Sequence, residues 1–536
     1  MEENNIINCL GKRMDKIIDS HDYDSMQKYA SELEGKAKND STCACTEVYY
    51  YIGTAYSVLA DYYRRQSISE KENAKRDNTE RSDAAPIAKN NSNGCIGKNV
   101  TKFEKEIEAL KHKEKSYRRL SFSFLRKAMD SFDENTRKEL RSSVFTNYAN
   151  KLDICGRTIE ALRIYRKAIE LYPCFAMLRG NYGRALNYYA GLVNDEGHYR
   201  ELHFHAYQSL RLALESRDPN MTDRARSYFG SLIENYESLN SREYLSQELT
   251  YKEYDLGETE ERGYRLWCLH HHLFLNPLND LIETESAFAH DPLTISHITE
   301  HIDREKEVED RKNGDPPTWF SMLNQLKEEY VVARYLCYEG SESRLEVHYA
   351  DKEVTLALGD FNYVNYSIRL EFLKSAFKNL FSIFDQVAFF INEYWEMGIK
   401  EREADAKHVF KSKKFPHDNL VLEALYWSNC ELTEKYGEAD TPFDGNLKKL
   451  RNAMEHKFVK VHAYSTSEPL KIEDDRFYHL SEDELIKQTM RMLELSREWI
   501  MGLVYAINLE ERRNEQDDDG LVAHMAIANY EDQWKI

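Results

Sequence analysis

The chain has 536 residues, 41% of them hydrophobic, and a formal net charge of −20. That length is more than one compact core can use, so about two to four domains are expected. The acidic balance excludes a protein that coats nucleic acid with its whole surface; an RNA substrate would need a local basic patch to overcome the repulsion.

Glycine (21) and proline (10) are scarce, and Leu, Glu, Lys, Tyr and Ala are plentiful, which predicts an all-α protein. The first residues, Met1-Glu2-Glu3-Asn4-Asn5, are acidic and polar, unlike a signal peptide. No run approaches the ~20 apolar residues of a membrane span. Nine scattered cysteines without a CxxC pair fit a reducing compartment. A cytoplasmic protein with no membrane contact is expected.

Residues 1–65 read as helices, with Tyr49, Tyr50, Ile52, Gly53, Tyr56, Leu59, Ala60 and Tyr63 at helical spacing. Residues 66–112 are rich in Lys, Asn, Ser, Glu and Asp and read as a flexible insertion. From 113 to 240 the helices return as a repeat. Asn147-Tyr148-Ala149 leads to Leu152, Gly156, Ala161, Tyr165, Ala168 and Pro173, a pattern of small and aromatic positions that resembles the tetratricopeptide repeat. A second unit has Tyr182-Gly183 and Leu186, then Ala206, Leu210 and Ala213. An earlier partial match, Ile52-Gly53 with Tyr56, finds a candidate partner helix at Phe124-Leu125 with Ala128. Such repeats present a surface to a partner, so a protein partner or regulator is expected there.

Residues 241–317 are less regular. Within them Leu273-Phe274-Leu275-Asn276-Pro277-Leu278-Asn279-Asp280 reads as an extended, buried connector. Asp315-Pro316-Pro317 marks a boundary. A helical domain is predicted over 318–513. Its helices are expected at about 319–338, 363–397, 419–436, 447–461 and from the capping box Ser481/Glu484 to 513. In the second of these, Leu373, Ala376, Phe377, Leu380, Phe384, Val387, Ala388, Ile391 and Trp395 hold i, i+3, i+4, i+7 spacing. Asp444-Gly445-Asn446 caps the fourth. Residues 514–536 read as a loose acidic tail around Asp517-Asp518-Asp519, with Trp534 free to dock.

Within that domain stands Leu450-Arg451-Asn452-Ala453-Met454-Glu455-His456-Lys457-Phe458. On a helix, Leu447, Leu450, Met454, Phe458 and Val461 form one apolar stripe. Asn452 and His456 share a second stripe, with Val459 beside them, and Arg451 edges the first. Arg451 and His456 are about 140° apart on an ideal helix, so one helix alone does not aim both at one point.

An arginine, a polar residue directly after it, and a histidine at the sixth position resemble the signature of the HEPN ribonuclease family. The late position of the motif in a helical C-terminal domain, and the Asn-Pro-Leu-Asn-Asp connector behind a helical repeat region, resemble one HEPN subgroup. The resemblance implies a metal-independent endoribonuclease working as a homodimer, with two motifs at one cleft and with Arg451, Asn452 and His456 as its catalytic residues. His456 would move a proton, Arg451 would stabilise the phosphorane, and Asn452 would orient the imidazole or bind phosphate. The products would be a 2′,3′-cyclic phosphate and a 5′-hydroxyl, and the setting a toxin or anti-phage defence system. A different class stays open: a helical-repeat adaptor whose HEPN bundle only dimerises or binds RNA or nucleotide. Some HEPN toxins carry a tyrosine two residues after the histidine, which a partner enzyme modifies; here that position is Phe458, which has no hydroxyl.

Lys448, Lys449, Lys457 and Lys460 surround the motif and are candidate RNA-binding residues. Lys407, Lys411, Lys413 and Lys414 form a second basic run. Glu371, Lys374 and Asp385 on the long helix are candidates to support the cleft. No cofactor and no metal are expected. His270-His271-His272 point apart on a helix, and His297 and His301, with Asp303 nearby, lack the HExxH pattern. There is no GxxxxGK[ST], GxGxxG or GxSxG sequence.

Overall fold

The computed structural model describes residues 2–40, 43–83, 93–216, 221–240, 250–282, 284–301, 316–342, 347–356, 364–433, 446–463, 476–516 and 522–525, with a few single positions between them. The fold is all-α, with two small sheets added. Contacts divide the chain into two units. One holds Met1–Leu152 and Ile164–Leu178; the other holds Asp153–Arg163, Arg179–Lys435 and Asp444–Ile536. No helix among the described residues is long and apolar enough to cross a membrane.

The first unit begins with α1 (Glu2–Ser20), α2 (Tyr23–Asn39), α3 (Thr46–Asp83), α4 (Asn93–Asp130) and α5 (Lys138–Ile154). Met14, Met26, Leu33, Ile52, Tyr56 and Phe124 share one core. Gly53 lets α3 and α4 touch: a Cβ there would lie 3.0 Å from the Leu125 backbone nitrogen. The Ser121 hydroxyl donates to the Gly53 carbonyl at 2.8 Å, so the helix at Phe124-Leu125 is the neighbour of Ile52-Gly53. The flexible insertion expected over 66–112 is not what the structure gives. α3 runs on to Asp83 and α4 starts at Asn93, and only 84–92 fall outside the described residues. Lys, Glu, Arg and Ala are good helix formers, and a polar composition suits a solvated helix as well as a loop. Next comes α6 (Thr158–Leu171), which stops two residues before Pro173.

The second unit contains α7 (Ala176–Ala190), α8 (Glu196–Glu215), α9 (Asp223–Leu239) and α10 (Thr259–His270). Gly183 and Ala206 meet between α7 and α8; a Cβ at Gly183 would lie 2.9 Å from the Ala206 carbonyl oxygen. After α10 the connector Leu273–Asp280 is buried throughout. His272, at φ +54°, turns the chain into it, and its Nδ1 lies 2.6 Å from the Asn279 carbonyl.

The connector's polar groups are met from the C-terminal helices. These are α11 (Pro316–Ser341), α12 (Ile368–Tyr394), the short α13 (Ala406–Val409), α14 (Leu420–Thr433), α15 (Asn446–His456) and α16 (Glu482–Gln516). From α16, Arg497 donates to the Phe274 carbonyl (2.6 Å), the Asn276 carbonyl (3.0 Å) and both oxygens of Asp280 (2.9 and 3.0 Å). From α11, the Tyr330 hydroxyl and Arg334 donate to the Leu273 carbonyl, and Arg334 also binds Asp291 with both terminal nitrogens. The apolar positions of α12 from Leu373 to Ile391 form the core, and Trp499 of α16 sets its ring edge-on to Phe384. Trp395 falls just past the end of α12. Ser481 caps α16 by accepting the Glu484 N–H at 3.2 Å.

Two more expectations need correction. The helix expected over 447–461 ends at His456, and β3 (Phe458–His462) follows, antiparallel to β2 (Val364–Asn365) and parallel to β4 (Phe477–Ser481). Phe458, Val459 and Val461 are strand formers, and alternation serves them better than a helical stripe. Secondly, the tail is not all loose: β5 (Val522–Met525) pairs antiparallel with β1 (Ile298–His301). Asp517-Asp518-Asp519, Trp534 and Asp444-Gly445 lie outside the described residues. His301 is in β1, and His297 pairs with Glu515 at 2.7 Å. Asp303 and Asp315 are outside the described residues.

Asp280 and Arg497 are both almost fully buried. Arg497→Ala leaves the carboxylate without its partner, and such losses cost about 3–5 kcal/mol. The expected result is a clear fall in the urea-unfolding midpoint of the C-terminal part. An unchanged midpoint would show that the pair does not hold the connector.

Candidate functional site

The site grows from α15 and the strand after it. Leu450 and Ala453 are buried and fasten α15 to the bundle, while Asn452, Glu455, His456 and Lys457 are exposed. Arg451 lies between these faces. Its guanidinium stands 5.3 Å from the centre of the Phe381 ring on α12, a cation–π contact that fixes the helix against its neighbour. The same guanidinium binds Glu455 Oε2 at 2.9 Å and donates to Asn452 Oδ1 at 3.2 Å.

Glu455 was not among the residues singled out from the sequence. Its Oε2 also lies 3.7 Å from His456 Nε2. One carboxylate oxygen thus sits between the two ends of the motif, and the angular separation of Arg451 and His456 is closed by their side chains meeting at Glu455. The signal was available: Arg451 and Glu455 are an i, i+4 ion pair. Asn452 is placed on Arg451, not on the imidazole. The His456 side chain is 73% exposed, open to a substrate or a second molecule.

Asp385 belongs to this neighbourhood. It accepts the Ala406 N–H at 3.1 Å, which ties α12 to the start of the run containing Lys407, Lys411, Lys413 and Lys414. All four lysines are exposed. Burial raises the Asp385 pKa above the ordinary carboxylate range; the Ala406 N–H opposes the rise, Asp405 adds to it, Arg451 opposes it and Glu455 adds to it. Asp385 therefore feels both motif charges. Glu371 and Lys374 do not join the motif. They pair with each other at 2.6 Å, about 15 and 10 Å before Phe381 along the helix axis.

Of the four lysines around the motif, Lys449 and Lys457 are exposed and Lys448 and Lys460 half-buried. Lys460 sets its ammonium 3.8 Å from the centre of the Phe477 ring. Elsewhere, a cavity of about 270 Å³ opens beside β2, lined by His348, Asp351, Tyr366 and Arg369 among others. Among the described residues no group of three or more His, Cys, Asp or Glu side chains converges as metal ligands would.

Residues 311–510, which contain all of this geometry, match the family model described as LA2681-like HEPN. The chain carries a HEPN domain. No curated protein and no solved structure gives a match. The HEPN match covers the bundle α11–α16 and its motif helix; the N-terminal helices lie outside it.

Asp385 gives a test of the site's electrostatics. Its folded pKa is raised, so what it contributes to stability is fully present below the unfolded value near 3.8 and is lost as pH rises through the folded value. Asp385→Asn keeps an acceptor for Ala406 and removes the penalised charge. It should therefore raise the melting temperature relative to wild type at pH 7, with the gain vanishing by about pH 3. A gain that grew on acidification would contradict the assignment.

Proposed function

We propose that this protein is a metal-independent endoribonuclease of the HEPN class, with Arg451 and His456 as its catalytic residues and Asn452 and Glu455 as positioning residues. The observation that carries it is the meeting of guanidinium and imidazole at Glu455 Oε2, beside an exposed surface. Imidazole exchanges a proton near neutral pH, and the guanidinium fork matches phosphate oxygens.

In the reaction the 2′-oxygen attacks the adjacent phosphorus and the bond from phosphorus to the 5′-oxygen breaks. One group must take the 2′-proton and another must give a proton to the departing 5′-oxygen. One chain offers a single exposed imidazole in the motif, so two motifs facing each other in a homodimer supply a base and an acid. Arg451 leaves Glu455 for the phosphate and neutralises charge as the phosphorane forms. Lys448, Lys449, Lys457 and Lys460 hold the flanking backbone, and the four lysines of 407–414 extend that surface. In the same reading the N-terminal helices, as tetratricopeptide-like repeats, regulate a toxin or anti-phage effector by binding a partner. The second reading is a non-catalytic adaptor that dimerises or binds RNA. It is favoured by the engagement of Arg451 with Glu455, Asn452 and Phe381 of its own chain.

The two part on one experiment. Purified protein incubated with RNA in the presence of a chelator should yield fragments ending in 2′,3′-cyclic phosphate. Arg451→Ala and His456→Ala should each slow this by about 10²–10⁴-fold. Cleavage by either variant at the wild-type rate would refute the site, and a strictly monomeric active enzyme would refute the two-motif arrangement.

A further inference from the structure

The strand that follows the motif has two unlike faces. Side chains alternate along β3 and β4, and Val461 and Leu480 are buried on one side. The other side carries Phe458, Lys460, Phe477 and His479, and closes at His462, which is buried with its ring stacked on His479. Phe458 opposes Phe477 in register, and their ring centres are 5.9 Å apart. Lys460 reaches over Phe477, and Phe477 is 6.3 Å from the His479 ring. Phe458 is 73% exposed, an unusual place for a phenylalanine with a buried alternative on the same strand. It follows His456 by two residues, so the two Cα atoms lie within about 7.6 Å.

Charge indicates what covers these rings. Lys460 and Arg476 both set their charges by the Phe477 ring, 3.8 and 6.0 Å from its centre, in a chain whose net charge is −20. A polyanion with flat apolar groups is a good match for exposed rings flanked by two cations. Single-stranded RNA has both. Its bases stack on aromatic rings while its phosphates meet lysine and arginine. A duplex keeps its bases inside the helix and offers the rings nothing.

We infer that the outward face of the β3–β4 pair is a nucleobase-stacking subsite for single-stranded RNA, with Phe458 and Phe477 as its platform and Lys460 as its phosphate contact. The inference rests on the ribonuclease reading for its substrate. It adds that cleavage is selective for unpaired RNA and that the base next to the cut phosphate is held on Phe458.

The test uses the full chain and a short fluorescent 2′-O-methyl oligonucleotide, which has no 2′-hydroxyl to attack. Binding is followed by anisotropy. Phe458→Ala should weaken binding by about 5- to 150-fold, the range of one lost base stack. Phe458→Trp should retain binding, and the same sequence as a duplex should bind weakly and alike to all three proteins. Wild-type affinity in both Phe458→Ala and Phe477→Ala would overturn the subsite. So would conversion of a dimer to a monomer by Phe458→Ala in sedimentation, which would make this face a contact between two copies. Cleavage of unmodified RNA is read separately. Phe458-dependent binding without cleavage would sink the nuclease and leave the subsite standing; cleavage with Phe458-independent binding would do the reverse.

Discussion

The C-terminal architecture depends on the bond between Arg497 and Asp280. An arginine and an aspartate this deeply buried are tolerable only when their remaining polar atoms are also met. Here they are. The guanidinium serves two connector carbonyls besides the carboxylate, and the Tyr189 hydroxyl donates to Asp280 at 2.9 Å. The connector is thereby a fixed piece of backbone with its carbonyls aimed at α16 and α11. Those two helices set the groove that α12 fills, and α12 carries the Phe381 ring on which Arg451 of the motif helix is placed. The position of Arg451 is thus several contacts removed from a pair that has no chemical role of its own.

What could be read in the residues follows from how each element is stabilised. The repeating apolar positions of α12 were legible because burial of one helical face is a local pattern, and its core residues from Leu373 to Ile391 are buried as that pattern requires. The polar stretch from 66 to 112 was not. A helix held by backbone bonds and solvated on most sides has the same composition as a loop. The end of α15 failed for another reason. Leu447, Leu450, Met454, Phe458 and Val461 fit a helical stripe, while Phe458, Val459, Lys460 and Val461 also fit alternation. What decides is β4, whose register partner for Phe458 is Phe477, nineteen residues on and invisible to a local window. β5 pairs with β1 across more than two hundred residues and gave no local sign at all.

The candidate site was legible in its residue types and less so in its geometry. Ideal helical angles put Arg451 and His456 well apart, which is right for their Cα atoms and wrong for their side chains. A guanidinium on a long stem and an imidazole at the last helical residue both bend towards Glu455. The short acid between them turns two divergent groups into one cluster. Asp385 could be named from the long helix, but its link to the lysine run at 407–414 needed the Ala406 N–H to be seen. Glu371 and Lys374, equally plausible by sequence, pair with each other instead.

Helix α16 joins this site to the segment 153–163, because adjacent residues on it face two different partners. Arg497 holds the connector. Glu498, the next residue, meets Arg157, which also pairs with Glu160. One turn and two turns earlier, Glu494 and Arg491 bind Arg163 and Glu160 at 2.7 and 2.9 Å. Burial pushes the Glu498 carboxyl up; Arg157 counters this most and Glu160 adds to it. The segment opens on Gly156, at φ +80°, where a Cβ would lie 2.8 Å from the Leu420 carbonyl oxygen. Apolar contacts alone would let this turn slide along α16. Charges of both signs at fixed heights on the helix do not, since a shift by one turn sets Arg491 against Arg163 in one direction and Glu494 against Glu160 in the other. The network therefore specifies a register more than it adds stability. It does so on the same helix whose N-terminal end abuts β4 and the aromatic face beside His456.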